Sequence, residues 1–74
     1  MPITCREAHR KLKDAGAYQV RNPRGSHEIW KHDLVPDGFV TLPCHSQGYE
    51  IFGDVEQNYR RFLKKIEEAK RRKS

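Results

Sequence analysis

Ala17-Tyr18-Gln19-Val20-Arg21, then Asn22-Pro23-Arg24-Gly25, then Ser26-His27-Glu28-Ile29-Trp30-Lys31-His32: the reading of these three stretches decides the fold. The first alternates and is rich in strand formers. The second is a turn cluster whose proline pre-sets its own backbone dihedral. The third reads as a second strand centred on Glu28-Ile29-Trp30. Further on, Pro36-Asp37-Gly38 lies within Asp33 to Gly38 and predicts another turn. Phe39-Val40-Thr41-Leu42 is then a third strand, stopped by Pro43. Three strands joined by short turns make an antiparallel meander.

Helical patterns flank the meander. Upstream, Thr4-Cys5-Arg6-Glu7 has the form of a capping box. Cys5, Ala8, Leu12 and Ala15 then mark a narrow apolar stripe, which predicts a helix over about residues 4–15. Gly16 is placed to end it in the left-handed conformation. Downstream, residues 44–53 read as a loop punctuated by Gly48 and Gly53. Asp54 opens a second helix, with Gln57 repeating the capping logic. Val55, Tyr59, Phe62, Ile66 and Ala69 form its apolar stripe, with Leu63 beside it. That helix is expected to dissolve into a basic tail from about residue 70, Lys70-Arg71-Arg72-Lys73. The order is α-β-β-β-α in a single domain over residues 1–74. It is an α+β chain with a three-stranded antiparallel sheet and two helices on one face. This is the topology of the double-stranded-RNA-binding domain, and it leaves the opposite sheet face to solvent or a partner.

Composition narrows the possibilities. Seventy-four residues, 35% of them hydrophobic and seven aromatic (one Trp, three Tyr, three Phe), make one thin core. A Rossmann unit or a barrel is excluded by length alone. Fifteen Lys or Arg against ten Asp or Glu leave a net charge of +5, which favours a polyanionic partner such as RNA. No apolar run exceeds three residues, so neither a transmembrane helix nor a signal-peptide core is expected. The expected compartment is the cytoplasm. Cys5 and Cys44 fit it, being too few for a disulfide-built secreted domain and forming no C-x-x-C pair.

Gly25-Ser26-His27 is the most suggestive local sequence. A turn glycine lets the backbone approach a phosphate, and Ser26 can donate to one of its oxygens. An imidazole at His27 can take a proton from a ribose 2′-hydroxyl or give one to a leaving oxygen. Arg21 and Arg24 beside it would hold the phosphate and stabilise developing charge. On the residues alone, the commoner reading of His27 is an exposed strand histidine after a hairpin turn. Alternation puts Glu28, Trp30 and His32 on one face, the core face if Trp30 is buried, and turns His27, Ile29 and Lys31 outward. His32 and His45 are more often structural or surface residues. His45, just after the third strand, could approach the start of the second.

His27, His32, His45, Cys44 and Cys5 are all possible metal ligands, but none is paired at the short spacing of structural zinc, and no metal or cofactor is expected. Neither cysteine reads as a nucleophile. Cys5 falls on the buried stripe of the first helix, and Cys44 has only His45 beside it. The basic run from Lys64 to Lys73 reads as a solvated helix face that would add non-specific affinity for nucleic acid.

Taken together, Gly16 to Arg21, Arg24-Gly25-Ser26-His27, Trp30-Lys31-His32 and Val40-Thr41-Leu42-Pro43-Cys44-His45 resemble the HicA family of toxins. The resemblance spans about residues 4–66. It implies a double-stranded-RNA-binding-domain-like fold, metal-independent mRNA interferase activity and neutralisation by a HicB-type antitoxin. The sequence does not give the oligomeric state of the free toxin, for which a monomer is the default expectation. It places the catalytic histidine at His27 and the phosphate pocket at Gly25 and Ser26. It matches the family's proline-x-histidine segment to Pro43-Cys44-His45, so that His45 joins Arg21, Arg24 and Lys31 as a substrate-binding residue. Gly53-Asp54-Val55 departs from the glycine-threonine-leucine turn with which the family commonly opens its second helix. Asp54 there has two readings, a negative charge on the RNA path or simply the cap of the helix. Two other readings share the fold and the charge: a non-catalytic RNA-binding module, and a protein-interaction partner that docks through its open sheet face or an edge strand.

Overall fold

Thr4 starts the first helix by accepting the Glu7 backbone N–H at 3.3 Å while holding an extended conformation (φ −86°, ψ 160°). The computed structural model describes residues 3–21, 25 and 27–73. In chain order these form β1 (Ile3–Thr4), α1 (Cys5–Asp14), β2 (Tyr18–Val20), β3 (Glu28–His32), β4 (Val35–Leu42), β5 (Glu50–Ile51) and α2 (Gly53–Lys73). Gly16 ends α1 at φ +94°, donating its N–H to Lys13 O at 3.0 Å, and Ala17 N–H reaches Leu12 O at 2.8 Å. That reversal launches β2.

The meander is as the sequence predicts, an antiparallel sheet of order β2-β3-β4. Tyr18 pairs with Lys31, Val20 with Ile29, Ile29 with Thr41 and Trp30 with Val40. Glu28, Trp30 and His32 face inward with Val40 and Leu42. There α1 packs Cys5, Ala8 and Leu12 against them, and α2 adds Tyr59, Phe62 and Ile66. Both helices therefore cover one face. Each large side chain sealed there contributes about 1.5–3 kcal/mol of hydrophobic stabilisation.

Four features differ from the sequence reading. The predicted turn at Pro36-Asp37-Gly38 lies inside β4, and the chain reverses earlier, at Asp33-Leu34. His32 pairs with Val35 and Trp30 with Val40, so five steps along β4 span two along β3. The turn signal survives as this irregularity, tolerated because β4 is an edge strand and its proline owes no N–H to a neighbour. A Cβ on Gly38 would meet Val35 Cγ1 at 2.6 Å, so any other residue there would have to displace the Val35 side chain.

Residues 44–53, read as loop, contain β5, which pairs with β1 through Ile3↔Ile51 and Thr4↔Glu50. Two-residue strands are too short to show alternation. Lys70 to Lys73 belong to α2 rather than to a tail. Arg71 reaches Glu67 one turn back at 3.0 Å, and cations suit a helix C-terminus.

The cysteines make the fourth difference. Cys5 and Cys44 are joined in a disulfide, with Cα atoms 6.0 Å apart. Tertiary structure alone creates this pairing. Cys5 N–H donates to Tyr49 O at 2.8 Å and Arg6 N–H to Gln47 O at 3.0 Å, which lays the segment after β4 against the start of α1.

Candidate functional site

The strand ends decide which candidate residues meet. Glu28 pairs with Leu42 and Ile29 with Val20, so His27, the segment from Pro43 and the exit of β2 all leave the sheet at the same end. His27 is exposed immediately before β3, Gly25 is exposed in the connection, and Arg21 is exposed directly after β2. Arg24 and Ser26 lie outside the described residues. His45 is exposed at this end too, in a T-shaped contact with the Tyr49 ring (centroids 5.6 Å apart). Lys31 shares the outward face of β3 but pairs with Tyr18 at the other end. Four residues of strand, about 13 Å, separate it from His27. Lys31 and His27 therefore stand at opposite ends of β3 and form no single cluster.

Lys31 and Tyr18 are exposed on the uncovered sheet face, with Val20, Ile29 and Thr41 half-buried among them. Tyr18 OH donates to Asp33 Oδ1 at 3.2 Å, and that bond to a carboxylate holds the phenol above its usual range. At the β4 edge, Gly38, Phe39 and Thr41 border an open groove of about 300 Å³ whose far wall carries Arg61 and Lys65 of α2.

Behind the face, polar side chains anchor β3. His32, 7% exposed, accepts the Leu34 N–H at Nδ1 (3.0 Å) and donates from Nε2 to Ala15 O (2.9 Å), so the imidazole is committed to structure. Its place in the core agrees with the structural role expected for it. Glu28 Oε1 accepts from His9 Nε2 at 2.6 Å and from Trp30 Nε1 at 3.1 Å, while the His9 ring lies over Trp30 at 5.4 Å. Sequence reasoning missed His9. Its signal was available in Cys5-x-x-x-His9, two chemistry-bearing residues one helical turn apart.

A family model described as "HicA toxin of bacterial toxin-antitoxin" matches residues 5–51, which run from the first residue of α1 through β5 and include the whole Gly25–His27 region. The chain belongs to the HicA toxin family. No curated protein and no solved structure matches the chain. The match ends before α2, and so leaves out the helix where the chain departs from the family's usual glycine-threonine-leucine opening. In place of that turn stands Gly53, at φ +64°, followed by an exposed Asp54 in the first turn of α2, where a negative charge suits the helix dipole. No helix among the described residues is long and apolar enough to cross a membrane.

Proposed function

We propose that this toxin is a cytoplasmic, metal-independent endoribonuclease that cleaves mRNA by internal transesterification and is neutralised by a HicB-type antitoxin. The observation that carries the reading is the exposed position of His27, at the sheet end shared with Arg21 and Gly25, within the stretch matched by the family. In the reaction the ribose 2′-oxygen attacks the adjacent phosphorus and the 5′-oxygen of the next nucleotide departs, which leaves a 2′,3′-cyclic phosphate. His27 takes the 2′-hydroxyl proton or supplies the one the leaving oxygen needs, a role worth about two to four powers of ten in rate. Backbone at Gly25 and the Ser26 hydroxyl bind the phosphate, Arg21 and Arg24 offset its developing charge, and His45 contacts the substrate from the β4 side. Lys31 holds the strand further along the sheet.

Expression in a host cell tests the reading. Wild type should arrest growth and deplete full-length mRNA, His27→Ala should do neither at equal protein level, and a co-expressed cognate antitoxin should restore growth. Equal toxicity of His27→Ala would remove the catalytic assignment.

A further inference from the structure

His9, Glu28 and Cys44 come from α1, β3 and the segment after β4, and one donor atom from each lies within 4.8 Å of the other two. Cys44 Sγ is bonded to Cys5 Sγ, so a fourth donor adjoins the cluster through that bond. Cys5 and His9 are one turn apart on α1 and share its inward face, so a rigid helix presents both. The set is one imidazole, one carboxylate and two sulfurs, the ligand chemistry of tetrahedral zinc. Donors around such an ion stand about 3.3–3.8 Å from one another, so shifts of about 1 Å bring the three clustered donors into a coordination shell, and Cys5 Sγ can complete it once the bond to Cys44 is broken. The site is enclosed: Cys5 is fully buried, and the His9 and Glu28 side chains are only 14% and 18% exposed. Glu28 is already oriented by the Trp30 indole N–H at 3.1 Å, the kind of outer contact that fixes a metal ligand.

We propose that, once the disulfide is reduced, His9 Nε2, Glu28 Oε1, Cys44 Sγ and Cys5 Sγ bind one zinc-class divalent cation. Disulfide and metal are then alternative clasps between α1 and the segment after β4, and the metal adds β3 through Glu28. Reduction transfers two electrons and two protons from a dithiol reductant, which becomes a disulfide itself, and leaves Cys5 and Cys44 as thiols. Metal uptake then releases both thiol protons, and His9 gives up its hydrogen bond to Glu28 as its proton passes from Nε2 to Nδ1 through solvent; two thiolates with one carboxylate more than balance the dication. In a reducing compartment the disulfide is disfavoured, and the metal keeps α1, β3 and the post-β4 segment together. The site lies on the inner side of β3, whereas His27 precedes that strand and is exposed, so the proposal is independent of the cleavage reading.

The test is cobalt titration of untagged, metal-stripped protein. Reduced wild type should take up one Co²⁺ per chain with a thiolate-to-cobalt charge-transfer band and tetrahedral d–d bands. Zn²⁺ should displace it, and the disulfide form should show no such bands. His9→Gln and Glu28→Gln, with helical content checked by circular dichroism, should each weaken binding by at least the roughly 10–100-fold that loss of even an outer partner of a metal ligand causes. The proposal is overturned if reduced wild type shows no charge-transfer band, whether folded or unfolded. It is equally overturned if both variants bind as tightly as wild type, because the cysteines alone would then account for the metal.

Discussion

Reduction of the Cys5–Cys44 bridge, with a chelator present to hold metal away, should cost this domain a large part of its stability. The bridge closes a loop of 39 residues. Loop-closure entropy for that length is about 4 kcal/mol at 25 °C, and measured losses in small domains run about 2–5 kcal/mol. A chain of this size has only about 4–11 kcal/mol in total. The loop joins the start of α1 to the end of β4, so its release also frees the β1–β5 pairing and the Tyr49–Cys5 backbone bond. Urea unfolding followed by circular dichroism, with and without a phosphine reductant, measures the difference. Cys44→Ala is the control, since it removes a half-buried sulfur and leaves the fully buried Cys5 in place. The variant should match reduced wild type to within about 1 kcal/mol and ignore the reductant. If wild type, shown by thiol alkylation to be bridged beforehand, keeps its midpoint on reduction, the clasp contributes nothing and the reasoning fails.

Other substitutions probe separate parts of the account. Gly16→Ala combines a φ of +94° with a Cβ 3.1 Å from His32 Nε2, and should cost about 2–3 kcal/mol in urea unfolding. Gly48→Ala, with nothing within 4 Å of its Cβ, should stay within about 1 kcal/mol of wild type. Tyr59 OH is buried with no partner among the described residues, and burial pushes its phenol upward. Because the folded pKa lies above the unfolded one, that contribution to stability is intact below pH 10 and is lost as pH rises beyond it. Tyr59→Phe should therefore be neutral or stabilising near pH 7, and its thermal midpoint should fall less steeply above pH 10. Arg21→Ala and Lys31→Ala should each reduce the salt slope of single-stranded RNA binding by about 0.7, measured by fluorescence anisotropy.

How far the sequence can be read depends on the length of the signal. The stripe of Tyr59, Phe62 and Ile66 and the Thr4–Gly16 boundaries of the first helix rest on several residues with one geometry, and each appears in the structure as read. Alternation through Glu28, Trp30 and His32 also gave the inward face correctly, because Trp30 is too large to leave in water. Pro36-Asp37-Gly38 misled because local turn chemistry competes with edge-strand pairing, and at an edge both are satisfied. Nothing local announces β1, β5 or the bond between residues 5 and 44, since each exists only once distant segments meet. The candidate site divides in the same way. His27, Gly25 and Arg21 are legible from a turn followed by a strand. The separation of Lys31 from them, and the convergence of His9, Glu28 and the cysteines, required the register and the packing of α1 on β3.

The most direct test of the central claim is cleavage of an end-labelled mRNA by the purified disulfide-bonded protein in EDTA, wild type beside His27→Ala. The bridged form holds the fold together without metal, so the chelator speaks only to the chemistry. Wild type alone should cut, leaving 2′,3′-cyclic phosphate ends, while His27→Ala keeps the same thermal midpoint. Cleavage by both proteins would contradict the role of His27. Failure of both to cut, with RNA bound in a strongly salt-dependent way, would show a binding module rather than a nuclease.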